Sequence, residues 1–362
     1  MKACSGCGAS SVEIREPDLP SFRHLDFASL VGSGRFELCP VCGLIANADS
    51  AESAVVDPLF ISRKYANSNQ TSQKIQTDNG KMTRSAIQAR WICGRLKVSN
   101  FRILDIGCYD GALLREIAAL EPSAELHGFD VNAHLADAFP ATAGIHFHSG
   151  DLASLEGPFD LITSSHSLMY VPGLRVVLGQ IRDLLSEQGV FYVHTPDISV
   201  NPYSLTLGDQ RYFFTAANLG QVLAGNGFVP EMVTMDEFPR EAVCLATRTD
   251  AADSMDHRDN RNKALFDGLL EVREKLETLQ GDRIAVLGTT VNAAFVDAVL
   301  GDRLKVFADE NELRIGSDFR GKPVVHPDSL DAQTLLVLPF GESGAGIKAR
   351  MIGTTQAQLI VV

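Results

Sequence analysis

The sequence predicts an α/β protein with a Rossmann-like core between two smaller units, and three observations predict it. Short apolar runs alternate with helical stretches from about residue 101 to residue 247, the signature of βαβ units around a parallel sheet. Cys4, Cys7, Cys39 and Cys42 are confined to the first 42 residues, whereas Cys93, Cys108 and Cys244 stand alone. A polar tract at residues 249–261 separates the core from a second, smaller α/β pattern. The expected parts are a metal-binding domain at residues 1–75, the core at 76–248, a linker and helix at 249–280, and a Rossmann-like domain at 281–362.

At about 100 to 200 residues per domain, 362 residues suit two or three domains. Lys plus Arg number 32 and Asp plus Glu 45, a formal charge of −13. A polyanionic nucleic acid would need a basic stripe, which the scattered cations do not form, so no such partner is expected. The first residues lack the apolar segment of a signal peptide, and no stretch reaches the roughly 18 apolar residues that span a bilayer. The expected location is cytoplasmic, with no membrane partner. In that reducing compartment seven cysteines argue for metal or buried thiols rather than a disulfide framework.

Cys4-Ser-Gly-Cys7-Gly8 and Cys39-Pro-Val-Cys42-Gly43 are two CxxC knuckles 31 residues apart, each followed by glycine. This is zinc-ribbon spacing. Each tight turn aims two thiolates at one point, the glycine tolerates the bend, and two turns complete a tetrahedral shell. Four sulfur ligands leave no open position, so the ion would be structural rather than hydrolytic. A redox CxxC or unligated core cysteines would leave the duplication unexplained, and an iron–sulfur cluster is the other metal group such a set could hold.

Core strands are expected at residues 101–106, 125–129, 145–148, 159–164 and 190–194. Two more, at 228–235 and 242–247, are separated by a segment too short for a crossover helix and should pair as an antiparallel hairpin. The first core strand runs into a glycine-bearing turn and a helix. Gly107 and Gly111 there permit close approach of a ligand to the backbone, and Asp105 can accept a hydrogen bond or face a positive group. The spacing is not the GxGxxG of a phosphate loop, and Asp110 would repel a phosphate, so a cationic or neutral ligand suits the turn. The next strand ends at Asp130, 23 residues after Gly107, where a carboxylate can take both hydroxyls of a ribose. The third ends at Asp151 and Leu152. Singly each acid could be a turn or cap residue, but three successive strands deliver one to the carboxyl edge, where open α/β sheets bind ligands.

The series Asp105-Ile-Gly107-Cys108-Tyr-Asp-Gly111, Phe129-Asp130, Gly150-Asp151-Leu152 and Phe159-Asp-Leu-Ile-Thr-Ser-Ser165-His166 resembles the class I S-adenosylmethionine-dependent methyltransferases. The whole chain resembles a narrower group, the three-part sugar C-methyltransferases of deoxysugar and antibiotic pathways. Tyr65-Ala-Asn-Ser68-Asn-Gln-Thr71-Ser72 and Asp309-Glu-Asn-Glu-Leu-Arg-Ile-Gly316 echo that group, as does the order of the three parts. The resemblance implies S-adenosylmethionine as cofactor and structural Zn2+. It implies that Asp105, Gly107 and Gly111 hold the methionine end, with Cys108 and Ser165 in the same site. Asp130 would bind the ribose, Asp151 and Leu152 would flank the adenine, and the Tyr65 segment would close over the cofactor. The implied acceptor is a sugar nucleotide or related small molecule, held in part by the C-terminal domain, where Asn292, Arg314 and His326 are polar candidates. Oligomeric state is left open.

The likeness breaks where that group carries a His-Glu-His stretch that assists removal of a proton from carbon. Here the segment reads Leu207-Gly208-Asp209-Gln210-Arg211-Tyr212-Phe213, so Gly208 and Gln210 replace the histidines and Asp209 alone keeps an acid. Tyr170 stands where the group commonly has another histidine. The catalytic candidates are therefore His166, His194, Asp209 and Tyr170. His166 and His194 fall at the carboxyl ends of the fourth and fifth core strands, where a histidine can deprotonate a hydroxyl or an amine. Three readings follow: a C-methyltransferase of a sugar nucleotide, an O- or N-methyltransferase on the same scaffold, and a non-catalytic cofactor-binding protein. A dinucleotide site at Gly288 is disfavoured, because that turn has one glycine where three are wanted.

Overall fold

The computed structural model describes residues 3–10, 12–30, 34–49, 58–66, 74–77, 80–97, 99–139, 144–250, 262–341 and 343–362. The Ser68 to Ser72 stretch and residues 251–261 of the polar linker lie outside them. β1 (Glu13–Arg15), β2 (Phe36–Leu38) and β3 (Ile45–Asn47) pair antiparallel. After the single turn α1 (Arg63–Ala66), the hairpin of β4 (Lys74–Thr77) and β5 (Gly80–Thr83) leads into α2 (Arg84–Leu96). The Thr83 hydroxyl caps that helix by accepting the Ala86 N–H at 3.2 Å.

The core alternates strand and helix as the apolar pattern requires: β6 (Arg102–Ile106), α3 (Ala112–Leu120), β7 (Glu125–Phe129), β8 (Ile145–His148), β9 (Phe159–Ser165), α4 (Leu174–Leu184) and β10 (Leu185–Pro196). β11 (Tyr212–Phe213), α5 (Ala216–Ala224), β12 (Phe228–Val233) and β13 (Glu241–Arg248) follow. They build a seven-stranded sheet in the order β12-β13-β10-β9-β6-β7-β8. Its five central and far strands are parallel, and β12 and β13 form the expected antiparallel hairpin, with Phe228 opposite Arg248 and Val233 opposite Val243. Both faces are covered, so strand side chains of either parity are buried. Ile103, Leu161 and Tyr192 pack under α2 and α3, whereas Leu104, Ile162 and Phe191 pack under α4 and α5.

The N-terminal unit is not free-standing. β11 pairs with β3, giving the order β1-β2-β3-β11, and Cys4, Cys39 and Cys42 share one buried cluster with α4 and α5. α6 (Lys263–Thr278) buries Phe266, Leu269 and Leu276 in another cluster that also takes Phe36 and Phe213. The C-terminal domain comprises β14 (Ile284–Leu287), α7 (Val291–Leu300), β15 (Leu304–Ala308), β16 (Asp318–Phe319), β17 (Lys322–Val325), β18 (Leu335–Leu338), α8 (Ser343–Met351) and β19 (Gln358–Val361), in sheet order β16-β17-β15-β14-β18-β19. Among the described residues no helix is long and apolar enough to cross a membrane.

Candidate active site

A cavity of about 410 Å³ opens at the carboxyl ends of β6, β7 and β9. Its floor is the turn after β6. Gly107 has φ +77°, and a Cβ on it would stand 2.3 Å from the Ser167 Cβ, so only glycine lets the turn pass there. The turn is pinned by the Gly107 and Cys108 N–H groups, which donate to the Phe129 carbonyl at 2.8 and 3.1 Å. Asp105 is buried at the cavity wall and accepts the Thr163 hydroxyl at 2.7 Å. Burial pushes its carboxyl up to about 7, Asp130 adds to the rise, and the Thr163 bond opposes it. Asp130 accepts the Tyr109 and Asn132 N–H groups at 3.1 and 2.9 Å, and burial raises its carboxyl against those two bonds.

An aromatic cover lies over this floor. The Asn132 side-chain amide donates to the Phe60 and Ser62 carbonyls at 2.8 and 3.0 Å, and the Tyr109 hydroxyl donates to the Tyr65 and Ala66 carbonyls at 3.2 and 3.3 Å. The segment around α1 is thereby tied to the turns after β6 and β7. Phe60 packs on Tyr65 and Tyr170 with ring centroids 5.2 and 4.8 Å apart, and Tyr65 meets Tyr109 edge-on at 5.5 Å.

The same cavity is also bordered by a charged cluster. His166, just beyond β9 in a left-handed conformation with φ +55°, places Nε2 2.9 Å from Glu241 Oε2. Arg84 Nη1 lies 2.5 Å from that oxygen and 3.2 Å from the His166 nitrogen. His194 Nε2 also contacts Glu241 Oε2, and His194 Nδ1 takes the Gln88 amide at 2.6 Å and the Tyr192 hydroxyl at 2.9 Å. Burial would raise the Glu241 carboxyl, but its interactions with His166 and His194 outweigh it and hold the group well below the usual range. Burial in turn lowers His194 to about 4, although Glu241 opposes that, so His194 is neutral. Three ligand-type atoms converge here, but the Arg84 guanidinium sits among them and supplies the positive charge a metal ion would bring.

The sequence pattern described as a methyltransferase domain matches residues 39–233, more than half of the chain and most of the elements that wall the cavity. The chain belongs to this methyltransferase-domain family. A curated relative, trans-aconitate 2-methyltransferase of Deinococcus radiodurans, is 28% identical over 139 residues, 34% of this chain and 52% of the relative, so the chain spans about half the length of the curated relative it matches. Among solved structures, human N-acetylserotonin methyltransferase is similar with a TM-score of 0.38 and 19% identity over 46% of this chain and 51% of that one. An S-adenosylmethionine-dependent methyltransferase from Mesorhizobium loti is similar with a TM-score of 0.36 and 22% identity over 44% of this chain and 98% of that one.

Within the methyltransferase domain, Tyr65, Asp105, Gly107, Cys108, Asp130, Ser165, His166 and Tyr170 all line the cavity. Gly111 lies beside it, with φ +76°, at the start of α3. Asp151 and Leu152 are not brought to the wall. Asp151 is exposed and accepts the Ala153 N–H at 3.0 Å as a cap, and Leu152 is buried in the core. His194 is fully buried behind the wall rather than on it. Asp209 also stands off the wall: its two carboxylate oxygens accept the His24 backbone N–H at 3.0 and 2.8 Å, so the acid expected as a base is a clamp on another loop.

Sequence reasoning missed His24, Phe60, Arg84, Gln88 and Glu241. Glu241 had a signal. An antiparallel last strand begins at the edge where its parallel neighbours end, so the first residue of β13, paired with Pro196 at the end of β10, faces the site. Asn292 lines a second cavity of about 390 Å³ with Tyr203 and Phe340, whereas Arg314 binds Thr289 and Asp309 and His326 pairs with Asp328.

The four knuckle cysteines converge at the far side of α5. Cys4 and Cys42 sulfurs are 3.7 Å apart and those of Cys7 and Cys39 3.6 Å, with all four unbridged. Zinc–sulfur bonds of about 2.3 Å in a tetrahedron put sulfurs roughly 3.8 Å apart, so the donor set and its spacing fit zinc.

Proposed function

We propose that this chain transfers the methyl group of S-adenosylmethionine to a small-molecule acceptor, most simply to an oxygen, with His166 as the base. The observation that carries the reading is a single cavity lined by the two buried acids Asp105 and Asp130 together with His166 and Arg84, both of which Glu241 contacts. When bound, the cofactor supplies a methyl group already activated on a sulfonium, so positioning provides much of the rate.

The chain's own residues divide that work. Asp105 meets the cationic end of the cofactor, and the Tyr65 and Tyr170 rings offer electron-rich faces to it. Asp130, fixed by two backbone N–H groups, keeps lone pairs for the ribose hydroxyls. Phe60 and Tyr65 keep water out. With Nε2–H donated to Glu241, His166 has Nδ1 left to take the acceptor's proton, and Glu241 stabilises the imidazolium that forms. His194, neutral and buried, holds Glu241 in place together with Arg84. The cysteine quartet holds one structural zinc ion.

A second reading, methylation of a carbon next to a carbonyl, is favoured by one observation. The His-Glu-His residue types missing from the segment at Asp209 are reassembled in space by His166, Glu241 and His194. A sugar nucleotide is the acceptor to try first on that reading.

The test is calorimetric titration of S-adenosylmethionine into zinc-replete protein, with a nicotinamide dinucleotide as control. Binding of the first without the second, abolished in Asp130→Ala, is expected. Unchanged affinity in that variant, or no binding to the wild type, would overturn the cofactor assignment.

A further inference from the structure

We propose that His24, from the N-terminal unit, is an acceptor-binding residue that donates a hydrogen bond from Nε2 to a carbonyl or carboxylate oxygen of the methyl acceptor. The proposal rests on the methyltransferase reading above and names the acceptor's chemistry.

His24 belongs to a short loop whose position is overdetermined. The Phe22 N–H donates to the Thr206 carbonyl at 2.7 Å, the Gly208 N–H returns to the Phe22 carbonyl at 2.9 Å, and the Leu30 N–H donates to the Ser21 carbonyl at 2.8 Å. Arg23 and Asp26 pair at the loop's outer edge. Asp209 then grips the His24 N–H with both carboxylate oxygens, and the ring meets Tyr170 edge-on at 5.9 Å. So much fixed structure around one imidazole on a cavity wall calls for a reason.

The ring itself supplies one. Among the described residues its Nδ1 is shut from solvent with no hydrogen-bond partner, and no hydrogen bond ties Nε2. Since His24 lines the cavity and its Nδ1 is shut away, Nε2 is the nitrogen left to face it. A buried N–H without an acceptor costs more than a buried lone pair, so the proton belongs on Nε2 and points into the cavity. Burial, with the nearby His166 adding to it, lowers the ring to about 4, which keeps it neutral. A neutral N–H donor can be met by any acceptor oxygen, but a carbonyl or carboxylate meets it without adding an O–H that must itself find an acceptor in the buried wall. With His166 available for the proton, the acceptor is then a small molecule whose methylated atom lies beside such an oxygen.

The experiment uses the whole, zinc-replete chain loaded with S-adenosylhomocysteine. Acetoacetamide, trans-aconitate and myo-inositol serve as carbonyl, carboxylate and hydroxyl-only probes, titrated by calorimetry and followed by nitrogen NMR of labelled histidine. The expected result is that acetoacetamide or trans-aconitate binds and shifts the His24 Nε2 signal. Binding should weaken at least tenfold in His24→Ala and stay within about threefold in His24→Gln, whose amide nitrogen stands near the place of Nε2. Acetoacetamide and trans-aconitate responses separate a ketone from an acid. If neither binds, if either binds His24→Ala as well as wild type, or if only myo-inositol binds, the proposal is overturned. Failure of S-adenosylhomocysteine to bind the wild type would instead sink the cofactor reading.

Discussion

On the proposed reading, Asp105 couples cofactor binding to pH through one buried carboxyl. In the free protein its carboxyl sits up to about 7, so near neutrality it is partly protonated. A cationic ligand binds the ionised form better, and below that pH the proton must leave before the ligand gains its partner. The sign follows: affinity for S-adenosylmethionine should be level on the alkaline side and fall as pH drops through about 7, approaching tenfold per pH unit. Asp105→Asn should bind more weakly and lose most of that slope, as read from calorimetry across about pH 6 to 8. A wild-type affinity that is flat over this range would show that the acid does not face the cation. Asp105, Gly107 and Asp130 were legible in the sequence because a strand, a turn and the next strand lie within about thirty residues and carry their spacing with them. His24, Arg84 and Glu241 were not, since the first two reach the cavity and the third reaches His166 from distant segments, and nothing local marks a histidine, an arginine or a glutamate as inward-facing.

Elements were legible where one physical pattern dominated. β6, β7, β8 and β9 fell within a residue or two of the apolar runs, and the short gap before β13 was enough to set the antiparallel pairing with β12. β11 was missed, because two residues carry no periodicity and Tyr212 and Phe213 read equally well as core. At this scale two glycines make opposite predictions. Gly107→Ala should place a Cβ 2.3 Å from that of Ser167 in a left-handed turn, so Ser167 and its bond to the Ile106 carbonyl must move. A loss of roughly 2 kcal/mol or more and of measurable cofactor affinity is expected. Gly179→Ala in α4 meets nothing within 4 Å of the added carbon among the described residues beyond its own helix backbone, and should stabilise by up to about 1 kcal/mol with affinity intact. Denaturant titration of both variants checks the pair; equal effects would mean that backbone geometry at the turn is not what limits the substitution.

For the whole molecule, shifts in composition did not show how the N-terminal unit, the core and the C-terminal part interlock. The N-terminal sheet is completed by β11 from beyond the core's fifth strand, and the Phe36 ring packs at a tilt 5.0 Å from that of Phe266 on α6, contacts made across more than 150 residues of chain. The cysteine knuckles are held by the same interlocking. The Gly43 carbonyl accepts the side-chain amides of Asn218 on α5, at 3.1 Å, and of Asn262, while the Gly6 carbonyl accepts that of Asn226 at 2.7 Å. Gly6 itself lies so close to Leu44 and Val222 that a Cβ would stand 2.6 Å from the first. A zinc ion bound by the quartet therefore stabilises more than a peripheral ribbon. Removing it leaves four clustered thiols inside the cluster that packs α4 and α5, and it loosens β3, on which β11 and the loop clamped by Asp209 depend. Zinc and fold should then be linked as one equilibrium. One zinc per chain is expected on metal analysis, and chelation should lower the midpoint of a single cooperative calorimetric transition. An early, separate transition that leaves the main one unmoved would show instead that the ribbon melts alone, and that the amide contacts to Gly43 and Gly6 do not carry its stability into the core.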